Sequence, residues 1–456
     1  MAETLMGCSE GLDVLADAGF ISIRIAEQNS TKPSIAFAFA GRRTHVTEEN
    51  VTPFTPHNAG HVADPDDALE AARRECPVTQ VSDVLFVVTS DRDVRALFKD
   101  SAAFSNRGNF TIGREDRNHA FPGITNLDPP VHTELRSRLL RSMAPKKLRL
   151  LGPHVARVIA KTMDGLPLSG EVDLHKDYIS HIPSAVTYSM IGLSEEYWSE
   201  VEVLADALVE AVPAPETTMP EYDRLMELMG QIVRDRREHP EHRRDDVLDN
   251  LCFAAPGERE MEDLEVVMHL RQLFAAATDT TRALIANCIY RLLEHGDWAR
   301  IVADRSLLKN AIEESLRFDS PAQFMTRSVV QDTVIGECPV TAGHKAYLSI
   351  QSANHDDAAW GSTARHFDIT RQVAVQHVAF GRGIHSCLGA PLARMEAYMA
   401  IDALMDHYPR MAAGRRATWE KCDGLLLRRP REVWAQLVGE TPAVTRTSGN
   451  AGQVTG

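Results

Sequence analysis

The stretch Phe380-Gly381-Arg382-Gly383-Ile384-His385-Ser386-Cys387-Leu388-Gly389 places one cysteine in a glycine-rich loop, just before a long amphipathic segment. We expect the three glycines to let the loop turn tightly, because glycine adopts backbone angles that other residues avoid. The helix predicted over residues 388–408 would direct backbone N–H groups at the sulfur and stabilise a thiolate. Cys387 is therefore a candidate metal ligand, although a small buried hydrophobic role also fits the loop alone.

The composition favours a globular protein with a substantial core. Hydrophobic residues make up 44% and charged residues 25% of the 456 residues. The net charge of -15 argues against general nucleic-acid binding, which requires basic surfaces. No apolar run approaches the roughly 18 residues that span a bilayer. We expect a cytoplasmic protein without a membrane or nucleic-acid partner, and the seven scattered cysteines do not indicate a disulfide framework.

Helical periodicity predominates over most of the chain. Residues 1–52 lack a clear period and are interpreted as an appendage, and residues 441–456 as a frayed tail. Residues 53–440 carry no linker or repeat, which favours one domain, mainly α with small β-sheets. A helix predicted over residues 263–294 would be about 45 Å long and could cross the molecule. Strand signals are short and lie at residues 81–89 and 326–335.

Three further segments place charged or polar side chains at helical spacing. Glu314 and Arg317, three residues apart, share a helix face, an arrangement that also occurs in ordinary surface ion pairs. Residues 276–281 (AATDTT) put a carboxylate and hydroxyls inside an apolar helix, where hydroxyl bonding to the preceding turn is the alternative explanation. His132 and Arg136 lie four residues apart at a predicted helix start.

The cysteine loop, as FGxGxHxCxG, resembles the haem-binding loop of the cytochromes P-450, in which a cysteine thiolate is the axial iron ligand. The other three segments occur in the family's order, and the resemblance covers about residues 53–440. It implies a cytochrome P-450 fold in a single large haem-enclosing domain, similar to the soluble bacterial type. It also implies haem b (iron protoporphyrin IX) as cofactor, with Cys387 as ligand of its iron.

The resemblance also gives roles to the polar segments. Asp279 and Thr280 match an acid and an alcohol that deliver protons during oxygen activation, and Ala277 stands where the family usually has glycine. Glu314, Arg317 and Arg371 match residues that support the haem pocket. Haem carries two carboxylates that need cationic or donor partners inside a protein. The residues implied to bind the cofactor besides Cys387 are His132, Arg136, Arg327, His385, Phe380, Gly381 and Gly389.

The implied activity is that of a haem-thiolate monooxygenase of secondary metabolism, which inserts one atom of O2 into a small apolar organic substrate. Electrons would come from a ferredoxin or flavodoxin with its reductase. A non-catalytic haem-thiolate sensor or carrier and a peroxide-driven enzyme of the same fold are the alternatives. Residues 109–121 and 204–225 are expected to line the substrate pocket without identifying the substrate. Six basic residues between Arg136 and Arg149 indicate either a solvated helix face or a docking patch for an acidic partner.

Overall fold

The structure, a computed structural model, describes residues 54–109, 123–211, 220–371, 376–422 and 424–439. Within these ranges it is mainly helical with small sheets, which confirms the predicted fold class. The predicted appendage, residues 1–52, and the predicted tail, residues 441–456, lie outside the described residues.

The helices and strands follow the chain in this order. The helices are α1 (Ala59–Ala63), α2 (Asp66–Glu75), α3 (Asp91–Lys99), α4 (Val131–Ser142), α5 (Pro145–Met163), α6 (His181–Ile191), α7 (Trp198–Ala211), α8 (Pro220–Glu238), α9 (Val247–Cys252), α10 (Asp263–Glu294), α11 (Trp298–Ala303), α12 (Leu308–Phe318), α13 (Ile350–Asn354), α14 (Asp357–Trp360) and α15 (Ala390–His407). The strands are β1 (Val78–Ser82), β2 (Leu85–Val88), β3 (Phe104–Ser105), β4 (Ser169–Asp173), β5 (Phe324–Val329), β6 (Thr333–Ile335), β7 (Cys338–Val340), β8 (Lys345–Ser349), β9 (Ala412–Ala413) and β10 (Trp434–Val438).

Helix α10 is the central element of the helical body. Its 32 residues have the bounds that the sequence predicts, and at 1.5 Å per residue it is about 48 Å long. Its side chains pack against α6, α8, α12 and α15, and Leu284, Ile285 and Ile289 are almost fully buried in the main core. The helix ends at His295, where Gly296 adopts a φ of 71° that stops further helical turns.

The main sheet has five strands in the order β1-β2-β8-β5-β3. Strand β2 pairs with β8 in parallel, and the other pairs are antiparallel. The single strand predicted over residues 81–89 is wrong, because the chain reverses between Ser82 and Leu85 to form the β1-β2 hairpin. The strand predicted over residues 326–335 is likewise divided into β5 and β6, with Val330 exposed between them. In both cases a short polar turn interrupts a β-branched run.

No helix within the described ranges combines the length and the apolar character that a membrane crossing requires.

Candidate active site

The cysteine loop is fixed by close backbone packing against α3. Gly381 and Gly383 have φ values of 64° and 73°, in the left-handed region that favours glycine. A Cβ atom at Gly383 would lie 2.3 Å from the carbonyl oxygen of Phe98, so no side chain fits there. Gly389 has an ordinary φ of -82° with nothing near its Cβ position, so the expectation that its backbone requires glycine is wrong.

The thiol of Cys387 lies at the beginning of α15. The backbone N–H of Cys387 donates to the carbonyl oxygen of Phe380 at 2.8 Å, and this hydrogen bond closes the loop. Cys387 is exposed as a residue, although the surrounding protein desolvates the thiol and thereby raises its pKa. Hydrogen bonds from the backbone N–H groups of Gly389 and Ala390 oppose that effect and lower the pKa. The amides at the start of α15 therefore stabilise negative charge on the sulfur.

The predicted cofactor-binding cations meet beside this loop. The rings of His132, on α4, and His385 lie with their centroids 4.0 Å apart. Arg136, one turn further along α4, donates from Nη2 to the carbonyl oxygen of Ser386 at 2.8 Å. Arg327, on β5, is 3% exposed, and its Nη1 donates to the carbonyl oxygen of the preceding residue at 2.8 Å.

This cluster of four basic residues is electrostatically unfavourable as it stands. Burial, then the charges of His132, Arg327 and Arg136, lower the pKa of His385 to about 3. Burial lowers the pKa of Arg327 to about 10 and also depresses the pKa of His132 and of Arg136. Among the described residues, both ring nitrogens of His132 and Nε2 of His385 are buried without a hydrogen-bond partner. Donors and cations arranged in this way fit a ligand that carries carboxylates.

The middle of α10 presents an accessible face of small and apolar residues. Ala276 is exposed, whereas Leu273, Ala277 and Thr280, which share its face at helical spacing, are half-buried. The Thr280 hydroxyl donates to the carbonyl oxygen of Ala276 at 2.8 Å. The helix continues unbroken through Ala277, the position at which the family usually has glycine.

Asp279 faces away from this surface and is 8% exposed. Its Oδ1 accepts a hydrogen bond from Nη1 of Arg282 at 3.0 Å. Arg282 also donates from Nη2 to Glu202 of α7 and to Ser184 of α6, each at 2.6 Å. The sequence analysis did not identify Arg282, although its position three residues after Asp279 on one helix could have indicated the pair.

Glu314, Arg317 and Arg371 form one buried ion-pair cluster. Arg317, with no exposed surface, donates from Nη2 to Oε1 of Glu314 at 2.8 Å, and Arg371 donates from Nε to the same oxygen at 3.2 Å. Arg317 also donates to the carbonyl oxygens of Asn354 and Ala364. The cluster thus connects α12 to the chain that follows α13.

Glu313, the neighbour of Glu314, makes a second connection that the sequence analysis missed. Arg394 of α15 donates to Glu313 from Nε at 2.5 Å and from Nη2 at 2.8 Å, and a ring nitrogen of His377 lies 3.0 Å from Oε2. Burial acts against ionisation, but Arg394 and His377 lower the pKa of Glu313 to about 2. The guanidinium of Arg394 also stacks 4.5 Å from the ring centroid of Phe380. The two glutamates thus attach both ends of the cysteine-loop segment to α12.

The basic segment is only partly a free surface. Arg138 is 2% exposed and lies with Nε 3.2 Å from Glu258, which also binds Arg141. The charges of Arg138 and Arg141 are therefore already engaged by one carboxylate within the protein, and only Arg141 is also accessible from outside. Lys146 and Arg149 are exposed.

Most of the predicted substrate-lining segments, namely residues 110–121 and 212–219, lie outside the described residues.

Comparisons with known proteins give one consistent result. The family model for cytochrome P450 matches residues 215–430. The chain is 32% identical to the vitamin D(3) 25-hydroxylase of Pseudonocardia autotrophica, over 76% of this chain and 87% of that protein. It is 29% identical to the putative cytochrome P450 YjiB of Bacillus subtilis, over 75% of this chain and 87% of that protein.

Solved structures resemble the chain over most of its length. The crystal structure of CYP109E1 from Bacillus megaterium in complex with testosterone superimposes with a TM-score of 0.73 at 27% identity, covering 82% of this chain and 99% of that one. The complex of the same enzyme with corticosterone gives a TM-score of 0.72 at 26% identity, covering 83% and 100%.

Proposed function

The chain belongs to the cytochrome P450 family and is a haem monooxygenase, and from that premise we propose that it hydroxylates a steroid or secosteroid substrate with electrons from a separate ferredoxin or flavodoxin. Its cofactor is haem b, and the family's reaction needs O2, an organic substrate and a redox partner. When bound, the haem supplies the iron centre at which O2 is activated, so that one oxygen atom enters the substrate and the other leaves as water.

Cys387 is the residue that we assign as iron ligand. Burial raises the pKa of its thiol, and two backbone amides at the start of α15 act in the opposite direction by donating hydrogen bonds to the sulfur, as a thiolate ligand would need. The fixed loop geometry, with Gly383 packed on Phe98, holds the sulfur in one place. Phe380, Gly381 and Gly389 complete the loop, and we expect them to form part of the surface that the cofactor contacts.

The four basic residues beside the loop are assigned to the haem propionates. The observation that supports this assignment most directly is the set of buried ring nitrogens of His132 and His385 that no described residue satisfies. Two carboxylates would supply acceptors for these nitrogens and neutralise Arg136 and Arg327. The lowered pKa values of this cluster would then rise toward ordinary values.

Asp279 and Thr280 are assigned to proton delivery. Thr280 borders the accessible face of α10, and its hydroxyl can rotate from the carbonyl oxygen of Ala276 to another acceptor. Asp279, one residue earlier, is tied through Arg282 to Glu202, whose side chain is 32% exposed. The arrangement thus holds the buried acid in one ion-pair cluster with a carboxylate that is partly exposed to solvent, and the guanidinium between them fixes the orientation of Asp279.

The names of known proteins and the surface of α10 both support the steroid assignment. One relative is named a vitamin D(3) 25-hydroxylase, and one structural neighbour was crystallised with testosterone and with corticosterone. In this chain the accessible face of α10 carries Leu273, Ala276 and Ala277, which are apolar and mostly small. Such a face leaves room for a bulky apolar ring system and offers it few polar partners.

The experiment is a titration of the purified holoenzyme with vitamin D3, testosterone and a macrolide, followed by the change in haem spin state. We expect a saturable shift with at least one of the first two compounds, and a hydroxylated product when a surrogate ferredoxin system supplies electrons. Ala276→Phe should abolish the shift, because the ring would fill the accessible face. Ala303→Phe, at an exposed position of α11, is the matched control. A response to the macrolide alone would overturn the substrate assignment.

A further inference from the structure

Two free cysteines that do not belong to the cysteine loop, Cys76 and Cys338, lie close together. Cys76 follows the last residue of α2, and Cys338 begins β7. The Sγ of Cys76 lies 3.2 Å from the carbonyl oxygen of Val78, and the Sγ of Cys338 lies 3.5 Å from the same oxygen. The distance between the two sulfur atoms therefore cannot exceed the sum of these two distances.

We propose that Cys76 and Cys338 are a redox modification site, at which hydrogen peroxide converts the two thiols into a reversible disulfide. Both thiols already bond one acceptor, and a disulfide requires the two sulfurs to approach each other to about 2.05 Å. Within the described residues, no third histidine, cysteine, aspartate or glutamate completes a metal-binding group with them. The pair is therefore suited to oxidation rather than to holding a metal ion.

The two cysteines differ in exposure and in thiol pKa, as a stepwise oxidation requires. Cys76 is exposed and can meet a soluble oxidant, whereas Cys338 is half-buried. Burial, followed by the charge of Cys76, raises the pKa of the Cys338 thiol, so Cys338 is the less reactive partner toward peroxide. Cys252 and Cys288 are inside the core, where burial raises their pKa values to about 11 and about 12.

The chemistry balances in two steps. The Cys76 thiolate attacks one oxygen of hydrogen peroxide, the O–O bond breaks, and Cys76 becomes a sulfenic acid while hydroxide leaves and is protonated to water. The Cys338 sulfur then attacks the sulfur of Cys76, an S–S bond forms, and the S–O bond breaks with release of a second water. Each thiol loses one proton and one electron, and one hydrogen peroxide is reduced to two waters.

The product would tie the end of α2 to the β6-β7 hairpin. That hairpin also touches α3, since a Cβ at Gly336 would lie 3.3 Å from Oδ2 of Asp93. Residues 76 and 338 are far apart in the sequence, so the bond closes a very long loop and restricts the unfolded chain strongly. Oxidation should therefore raise the melting temperature of the folded protein.

The test exposes the full-length holoenzyme to hydrogen peroxide, blocks remaining thiols, and maps peptides by mass spectrometry without reduction. We expect a Cys76–Cys338 peptide pair, its loss on reduction, and a melting temperature several degrees above that of the reduced protein. Cys338→Ser should abolish both results, whereas Cys422→Ser, at a buried cysteine, should leave both unchanged. Recovery of Cys338 as a free thiol, with Cys76 found only as sulfinic or sulfonic acid, would overturn the proposal.

Discussion

Arg282 donates a hydrogen bond from Nη1 to Oδ1 of Asp279 at 3.0 Å, across one turn of α10. The same guanidinium bonds Glu202 of α7 and Ser184 of α6. The proposed proton-delivering acid is thus positioned by a cation that three helices hold in place. Any change that releases Arg282 should alter proton delivery before it alters haem binding.

Arg282→Lys should lower product formation by roughly tenfold and divert reducing equivalents to peroxide, because one ammonium cannot reproduce the fork that orients Asp279. Coupling is measured as product and peroxide formed per reduced nicotinamide consumed, together with the solvent deuterium isotope effect. Haem content should remain that of the wild type. Arg300→Lys is the matched control, since the exposed side chain of Arg300 pairs with Asp297 at the same spacing. Equal coupling in both variants would refute the positioning role.

Arg317→Ala should prevent stable haem incorporation and cost about 3–5 kcal/mol of unfolding free energy, because it leaves the Glu314 carboxylate buried without its main partner. Haem content and urea unfolding measure the two effects. Arg305→Ala removes a surface pair with Asp402 and Asp406 and should cost about 1 kcal/mol or less. Similar losses in the two variants would show that the buried cluster is not a special support.

His355 predicts an acid-sensitive contribution to stability. Burial lowers its pKa in the folded protein to about 4, against roughly 6.5 in the unfolded chain. The unfolded chain therefore binds a proton at this histidine more readily than the folded protein does. Above pH 6.5 both states are neutral there, and as the pH falls toward 4 the free energy of unfolding decreases by up to about 3 kcal/mol. Urea unfolding of the wild type and of His355→Gln between pH 7.5 and pH 4.5 measures this. Identical pH slopes would contradict the prediction.

Electron transfer should depend on the exposed part of the basic segment. The paired charge reversal Lys146→Glu and Arg149→Glu should slow reduction by a ferredoxin severalfold at low salt, and the difference should shrink as salt is added. The double reversal Arg410→Glu and Arg415→Glu, at two exposed positions elsewhere, makes the same change in net charge and is the control. Arg138→Glu should instead destabilise the protein, because it places a carboxylate beside Glu258. Rates that do not respond to reversal at Lys146 and Arg149 would reject this docking surface.

The sequence was sufficient where local pattern and spacing carry the information. The bounds of α10 follow from its apolar periodicity and its stop at His295 and Gly296. The contact of Arg371 with Glu314, 57 residues away, was predicted only through the family resemblance, since no local rule relates the two positions.

Other features depend on tertiary partners that spacing does not reveal. Arg138 reads as a surface charge in the sequence, yet Glu258 and the carbonyl oxygen of Arg259 hold it inside the protein. Glu313 and Arg394 are 81 residues apart, and only the packing of α12 against α15 brings them together. The β1-β2 hairpin was not predicted because its turn has only two residues, Asp83 and Val84, and carries no glycine or proline that would mark it.

Iron K-edge X-ray absorption of the holoenzyme and of Cys387→Ser tests most directly the claim that the sulfur of Cys387 binds the haem iron. We predict one sulfur neighbour of iron in the wild-type protein and none in the variant. A wild-type spectrum that shows only nitrogen or oxygen neighbours, or a sulfur neighbour that persists in Cys387→Ser, would contradict the claim.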